Sequence, residues 1–193
     1  MTAIKLIVGL GNPGPEYENT RHNAGTWFVN ILADNYKTSL KPETKFKGLV
    51  GSIQDENHEC KLLIPLTYMN KSGTAIQALA NFYKIPSDTI LVAHDELDFS
   101  VGKTRLKYDG GAGGHNGLED IIRCLGTPKF YRLRIGIGRP TFKDVANYVL
   151  AAPSKNEKQQ IIESLDKAIR VTPQLVGGEI AKAMQIINDA TMP

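Results

Sequence analysis

With 193 residues the chain is long enough for one domain with a substantial core and too short for two of ordinary size. Its 41% hydrophobic and 22% charged residues exclude a disordered or fibrous chain, and no apolar run reaches the roughly 18 residues that a membrane helix needs. A net charge of +3 is too small to demand a polyanionic partner, so its distribution matters more than its sum.

The elements follow in chain order. Ile4 to Val8 is an apolar run of strand length stopped by glycine, a buried strand. It starts at once, with no signal peptide ahead of it, so a cytoplasmic protein is expected. Trp27, Phe28, Ile31 and Leu32 fall at helical spacing over residues 26–36. Residues 38–47 are charged and read as an exposed loop, and 49–53 and 61–64 as strands, the second stopped by Pro65. Ser72 is placed to cap a helix that buries Ile76, Leu79, Ala80 and Tyr83 and ends before Pro86. Ile90 to Ala93 is another buried strand, and Thr104 to Tyr108 alternates as a half-exposed one. A glycine-rich loop, 110–114, precedes a helix from about Gly117 to Leu125 with Gly126 as its stop; 131–137 is the last strand. Ser154-Lys155-Asn156-Glu157 is a capping box opening a helix with Ile161, Ile162, Leu165, Ala168 and Ile169 on one face. Pro173 interrupts it, and Gly177-Gly178 precedes another amphipathic turn or two. Strands alternating with helices, without repeat or linker, make residues 1–193 one α/β domain with a mostly parallel sheet. Cys60 and Cys124 form no C-x-x-C pair, so free thiols in a reducing compartment are expected.

Gly9-Leu10-Gly11-Asn12-Pro13-Gly14 matches the G-x-G-x-x-G dinucleotide fingerprint letter for letter. That mechanism needs a helix starting at the third glycine and an acidic residue ending the next strand about 20 residues on. Here Pro15 follows Gly14, the helical pattern begins only near Thr26, and Asp34 lies inside that helix. The context therefore argues against a nucleotide. A plain glycine-proline turn stays open, as does a third reading built on the polar residues. Asn12 and His22 flank a turn at the carboxyl end of the first strand, where open α/β sheets place ligands. Asp95 ends another strand. If the two strands are neighbours, its carboxylate can fix the tautomer of His22 and support the imidazolium, the His-Asp half of a triad. No G-x-S-x-G elbow supplies a nucleophile, so the pair would act on water directly.

Asn12, Asn70 in TYMNKSG and Asn116 in GGHNG sit in turn-like settings. Grouped around a histidine, carboxamides can hold a peptide amide or polarise an ester carbonyl; singly, each fits a local turn bond equally well. The glycines before Asn116 read either as a gate or as a tight turn. Residues 103–143 hold nine basic against three acidic residues, with Lys103, Arg105 and Lys107 alternating on one strand and Arg132 and Arg134 on the next. This suits a phosphate backbone, or a solvated edge strand. His22, His94, His115 and Asp95 lack the spacing of a metal motif.

GLGNPGPEYENTRHNAG, PLTYMNKSG, LVAHDELD, GGAGGHNGL and YRLRIGIGRP together resemble, in order and near-native spacing, the bacterial peptidyl-tRNA hydrolase family over most of residues 4–140. The resemblance implies hydrolysis of the ester joining a peptide to its tRNA, a monomeric, metal-free and cofactor-free enzyme, and a three-layer α/β/α domain with a twisted mixed sheet. It makes His22 the base, Asp95 its stabiliser and Asn12 the residue that distinguishes an N-acylated substrate from a free aminoacyl group. Tyr17, Tyr68, Asn70 and Asn116 match substrate-contact positions, with Met69 lining the cleft. Arg105, Lys107 and Arg134 fall where the family grips tRNA. Tyr68 stands where the family often has phenylalanine, and Arg105 where lysine is common. The same fold serves a non-catalytic RNA-binding relative, which stays open as an alternative.

Overall fold

The computed structural model describes residues 2–141 and 143–189. Among these, seven strands form one sheet in the order β2-β3-β4-β1-β5-β7-β6. They are β1 Leu6–Gly9, β2 Lys41–Glu43, β3 Gly48–Asp55, β4 His58–Pro65, β5 Ile90–Glu96, β6 Thr104–Tyr108 and β7 Tyr131–Gly136. The β1–β4, β1–β5 and β5–β7 pairs are parallel, while β2–β3, β3–β4 and β6–β7 are antiparallel. Only β3 and β6 therefore run against the rest, and the sheet is mixed but mostly parallel in strand direction.

Helices cover both faces: α1 Ala24–Asn35, α2 Ser72–Tyr83, α3 Asn116–Leu125, α4 Val145–Val149, α5 Lys155–Arg170, α6 Thr172–Val176 and α7 Ile180–Asn188. Alternation along the strands sorts the core into two layers. Leu6, Val8, Leu63, Ile90 and Val92 meet Ile76 and Leu79 of α2 and Ile121 of α3. Ile7, Leu62, Leu91 and Leu133 meet Phe28 of α1, Leu165 of α5 and Ala183 of α7. Central strands buried on both faces read as continuous apolar runs, which is why β1 and β5 were visible in the sequence.

Several local expectations are corrected. Residues 38–47 are not all loop: β2 pairs with β3, and a 3-10 turn at Thr44–Phe46 buries the Phe46 ring against Phe82. The cap of α2 is Lys71; Ser72 lies inside the helix and its Oγ donates to the Met69 carbonyl at 2.8 Å. Tyr83, expected in the core, is 41% exposed, its ring lying beside Phe46 and under the Lys61 ammonium, 4.9 Å from the ring centroid. The α4 turn was not foreseen, and α7 is longer than a turn or two. The capping box of Ser154 and Glu157 forms as read, as does the left-handed Gly126 after α3. Cys60 and Cys124 are unpaired. No helix among the described residues is long and apolar enough to cross a membrane.

Candidate active site

The site lies where β1 and β5, neighbours in the sheet, end side by side. Helix α1 starts directly on these ends: the Thr26 amide donates to the Leu10 carbonyl at 3.1 Å, and the Leu10 amide to Ala93 at 3.1 Å. Glycine is required for this approach, since a Cβ on Gly25 would overlap the Ala93 carbonyl and the Leu10 amide. Close seating brings the 3-10 turn Arg21–Asn23, which leads into α1, over the end of β5.

On that turn, His22 Nδ1 lies 2.9 Å from both oxygens of Asp95. The expected pair is therefore formed. A second imidazole, not assigned from the sequence, completes it: His115 Nε2 lies 2.8 Å from Asp95 Oδ1. His115 is also the N-cap of α3, its Nδ1 accepting from the amides of Gly117 at 3.1 Å and Leu118 at 3.3 Å. A nitrogen that accepts two amides carries no proton, so the His115 proton is on Nε2, facing Asp95. A carboxylate likewise requires a proton on the facing His22 nitrogen. Nε2 of His22 is thereby left with its lone pair.

Asp95 is only 4% exposed. Burial pushes its carboxyl upward, but the His115 and His22 imidazoles overcome this and hold it well below the usual carboxylate range. Burial pulls His22 down, and the charge and hydrogen bond of Asp95 more than offset it, leaving its pKa above 6.5. His94 belongs to no such pair. Its Nδ1 donates to the Asp95 backbone carbonyl at 2.8 Å, and burial followed by the neighbouring His115 pushes it down to about 3. It is neutral and is not a base for the reaction.

His22, Asp95 and His115 offer donor atoms within 4.8 Å of one another. They face each other in direct hydrogen bonds at 2.8–2.9 Å, closer than ligands sharing one tetrahedral zinc at about 2.0–2.1 Å per bond would stand. As it stands, the cluster is a hydrogen-bonded triad of side chains centred on Asp95.

Asn12 is held from two directions. Its Oδ1 accepts the Met69 amide at 2.7 Å, and its backbone is cross-braced by the Asn23 carboxamide at 2.9 and 3.0 Å. This orients its amide nitrogen, which makes no hydrogen bond among the described residues. Met69, expected on the cleft wall, is 4% exposed and lies beneath it, acting through its backbone. Asn70 is exposed on the 3-10 turn Met69–Lys71, and Asn116 opens α3. Tyr17 and Tyr68 meet edge to face with centroids 6.4 Å apart.

His22, Asp95, His115 and Asn116 border a cleft of about 540 Å³ whose far wall carries Lys107 and Arg134. The stripe of cations read from the sequence is largely spent on the protein itself. Arg132 is 3% exposed and donates to the carbonyls of Gly110 and Gly111, pinning the glycine loop. Arg134 pairs with Glu96 at 2.9 Å, and Arg139 with Asp98. Arg105 leaves the cleft: its guanidinium folds over the edge of β6 and donates to the Thr104 carbonyl at 3.0 Å and the Ile187 carbonyl at 3.4 Å. Lys107 is exposed and has no acidic partner among the described residues.

The remaining wall is α4, and Arg21 ties it to the base. The guanidinium sits 4.1 Å over the Tyr148 ring, donates to the Tyr148 carbonyl at 3.2 Å, and reaches Glu157 at 3.4 Å. Arg21 and His115 were missed because each supports a residue distant in sequence, and Asn23 because its bonds to the Asn12 backbone exist only once the turn folds back. The only local signal was GGHNG, where a histidine before a helix start can cap it.

The family model for peptidyl-tRNA hydrolase matches residues 6–193. Peptidyl-tRNA hydrolase of Legionella pneumophila strain Lens is 50% identical over 187 residues, covering 96% of this chain and 99% of that protein. That of Tolumonas auensis is 53% identical over 187 residues, covering 96% and 95%. The crystal structure of peptidyl-tRNA hydrolase from Acinetobacter baumannii superposes with a TM-score of 0.94 at 49% identity, over 97% of this chain and 96% of that one. A match of sequence and fold along nearly the whole chain has one meaning: this protein belongs to the peptidyl-tRNA hydrolase family.

Proposed function

We propose that the protein hydrolyses the ester joining a peptide to the 3′ end of its tRNA, as a monomer in the cytoplasm, with His22 as general base. The observation that carries this is the His22–Asp95 hydrogen bond at 2.9 Å, which leaves Nε2 as a lone pair at the cleft. Nε2 takes a proton from water as its oxygen attacks the ester carbonyl. The negative charge that develops on the carbonyl oxygen is supported by carboxamide donors near the site, Asn12 foremost. Collapse of the tetrahedral intermediate breaks the bond to the ribose oxygen, which takes the proton back from the His22 imidazolium. Asp95 stabilises that cation without becoming protonated.

Asn12, with Asn70 and Asn116, reads the N-acylated backbone, and Tyr17 and Tyr68 supply ring surface. Backbone reading by amides tolerates many peptide sequences. The test compares N-acetyl-aminoacyl-tRNA with the unblocked aminoacyl-tRNA. Cleavage of the blocked ester alone is expected; equal cleavage of both removes the role of Asn12, and cleavage of neither overturns the reading.

Lys107 and Arg134 hold phosphate on the RNA side. Lys107→Ala is expected to raise KM several-fold with little change in kcat, and to reduce the slope of log affinity against log salt by about 0.7–0.9, one phosphate contact. Arg105→Ala should do less, because its guanidinium is engaged at the outer edge of β6. Equal effects of the two on KM would reverse that assignment.

The base must be neutral to work, and protonation of His22 is favoured by Asp95. The pH profile of kcat/KM on N-acetyl-aminoacyl-tRNA is therefore expected to fall, with one proton, as pH drops through a midpoint above 6.5. Asp95, held low, adds no limb near neutrality. A midpoint at or below 6.5 would contradict the balance of burial and charge described for His22.

A further inference from the structure

The turn that carries His22 forms a ridge between two hollows of unlike chemistry. His22 faces the first, a charged cleft bordered by Lys107 and by the Arg134–Glu96 and Arg139–Asp98 pairs. The next residue, Asn23, faces the second, together with Asn12. This second hollow measures about 470 Å³ and lies between the β1–α1 loop and the paired ends of β3 and β4. Its apolar surface comes from Trp27, Leu49, Ile64, Pro65 and Leu66.

Leu66 is 44% exposed, at the end of a strand that otherwise buries its leucines. The polar end of the indole is already satisfied, Trp27 Nε1 donating to the Glu18 carbonyl at 2.8 Å. What Trp27 offers the hollow is the part of its ring left beside Lys158, whose Nζ lies 4.9 Å from the ring centroid. Glu18 and Lys158 line it with opposite charges, and Lys158 is engaged by Asn19 Oδ1 at 2.6 Å. The rim carries the carboxamides of Asn12, Asn19 and Asn30.

We propose that this second hollow is a subsite for the peptide, taking the side chain of the residue immediately upstream of the ester-linked one and preferring it apolar. The inference rests on the hydrolytic reading above, which puts the reacting ester at His22. From that point the substrate extends two ways. Its polyanionic half belongs with the first cleft, where Lys107 has no acidic partner among the described residues, since the second hollow offers phosphate an apolar floor and one lysine, Lys158, already engaged by Asn19 and accompanied by Glu18. Its acyl half then crosses the ridge at Asn12, whose oriented amide stands at the inner edge of the second hollow. The size is in the usual range for ligand sites, about 300–1,000 Å³. Apolar floor and amide rim match a peptide, whose backbone needs hydrogen bonds while its side chain needs cover. The amides give breadth and the floor gives a preference.

The test uses three tRNA esters with the same ester-linked residue: N-acetylated with nothing upstream, with leucine upstream, and with lysine upstream. Wild-type protein is expected to show a kcat/KM about tenfold higher for upstream leucine than for lysine, the scale on which apolar pockets discriminate. In Leu66→Glu, at a solvent-facing edge where folding is tolerant, that leucine-to-lysine ratio should collapse or invert. Leu49→Lys should lower the leucine preference by excluding the side chain without attracting lysine. A ratio is read only from active, folded enzyme, so a loss of overall activity does not mimic the result. A wild-type ratio near one, or a ratio unmoved in both variants, overturns the subsite. Failure to cleave any of the three, including the ester with nothing upstream, overturns the hydrolytic reading instead.

Discussion

His22→Ala is expected to lower kcat on N-acetyl-aminoacyl-tRNA by about 10²–10⁴-fold, the range that a positioned general base supplies. KM should stay within a few-fold of wild type. The two expectations follow from where the imidazole stands. Its protein contact is with Asp95 and its ring lies beside that of His115, with centroids 5.0 Å apart. It is remote in role from Lys107 and Arg134, so losing it removes the acceptor for the water proton and little of the grip on RNA. No neighbouring group replaces it. Both nitrogens of His115 are used, and His94, whose Nε2 is buried without a partner, is held down to about 3 by burial and the neighbouring His115, too weak a base to take over. Single-turnover kinetics with tRNA binding measured in parallel separate the two parameters. A variant that turns over at the wild-type rate removes His22 from the chemistry; one that binds tRNA hundreds-fold more weakly makes it a binding residue.

How far this site was legible depended on how local each signal was. Asp95 could be paired with His22 because each follows an apolar strand and such strands end together in an α/β sheet. The strands that carried the inference, β1 and β5, are buried on both faces, and nothing but burial explains a run such as Ile90 to Ala93. Strand β2 was lost because an edge strand is specified by its partner's backbone, and Lys41-Pro42-Glu43 carries no apolar alternation. The cationic stripe was over-read for a related reason. Charge is counted along the chain, but its availability depends on what faces it: Arg132 had acquired two loop carbonyls, Arg134 a glutamate, and Arg105 the far side of the sheet edge. His115 shows the converse. As one histidine in a glycine-rich loop it reads as a cap or a spare ligand. Only the approach of α3 to the end of β5 makes it the second partner of Asp95.

That second partner sharpens what Asp95→Asn should do. The change keeps the shape and removes the charge, and kcat is expected to fall by about 10⁴-fold, as it does where a carboxylate fixes a catalytic histidine's tautomer. The reason lies in which atoms are free to change. His115 Nδ1 accepts two helix amides, so its Nε2 proton cannot move and the side-chain oxygen of residue 95 must stay at the Oδ1 position. The new amide nitrogen then takes the Oδ2 position, and the His22 Nδ1 proton, 2.9 Å from both positions, meets one acceptor and one N–H group where it had met two acceptors. The loss of the charge and of one acceptor weakens the hold on the productive tautomer and favours the proton on Nε2, the nitrogen that must accept from water. The fold should survive, since the cap of α3 and the seating of α1 do not use the lost charge. The residual activity carries a second signature. Without Asp95 nothing offsets the burial of His22, so the acid limb of kcat against pH should shift to lower pH than in wild type. An acid limb that stays where it is in wild type would mean that Asp95 does not support the protonated His22.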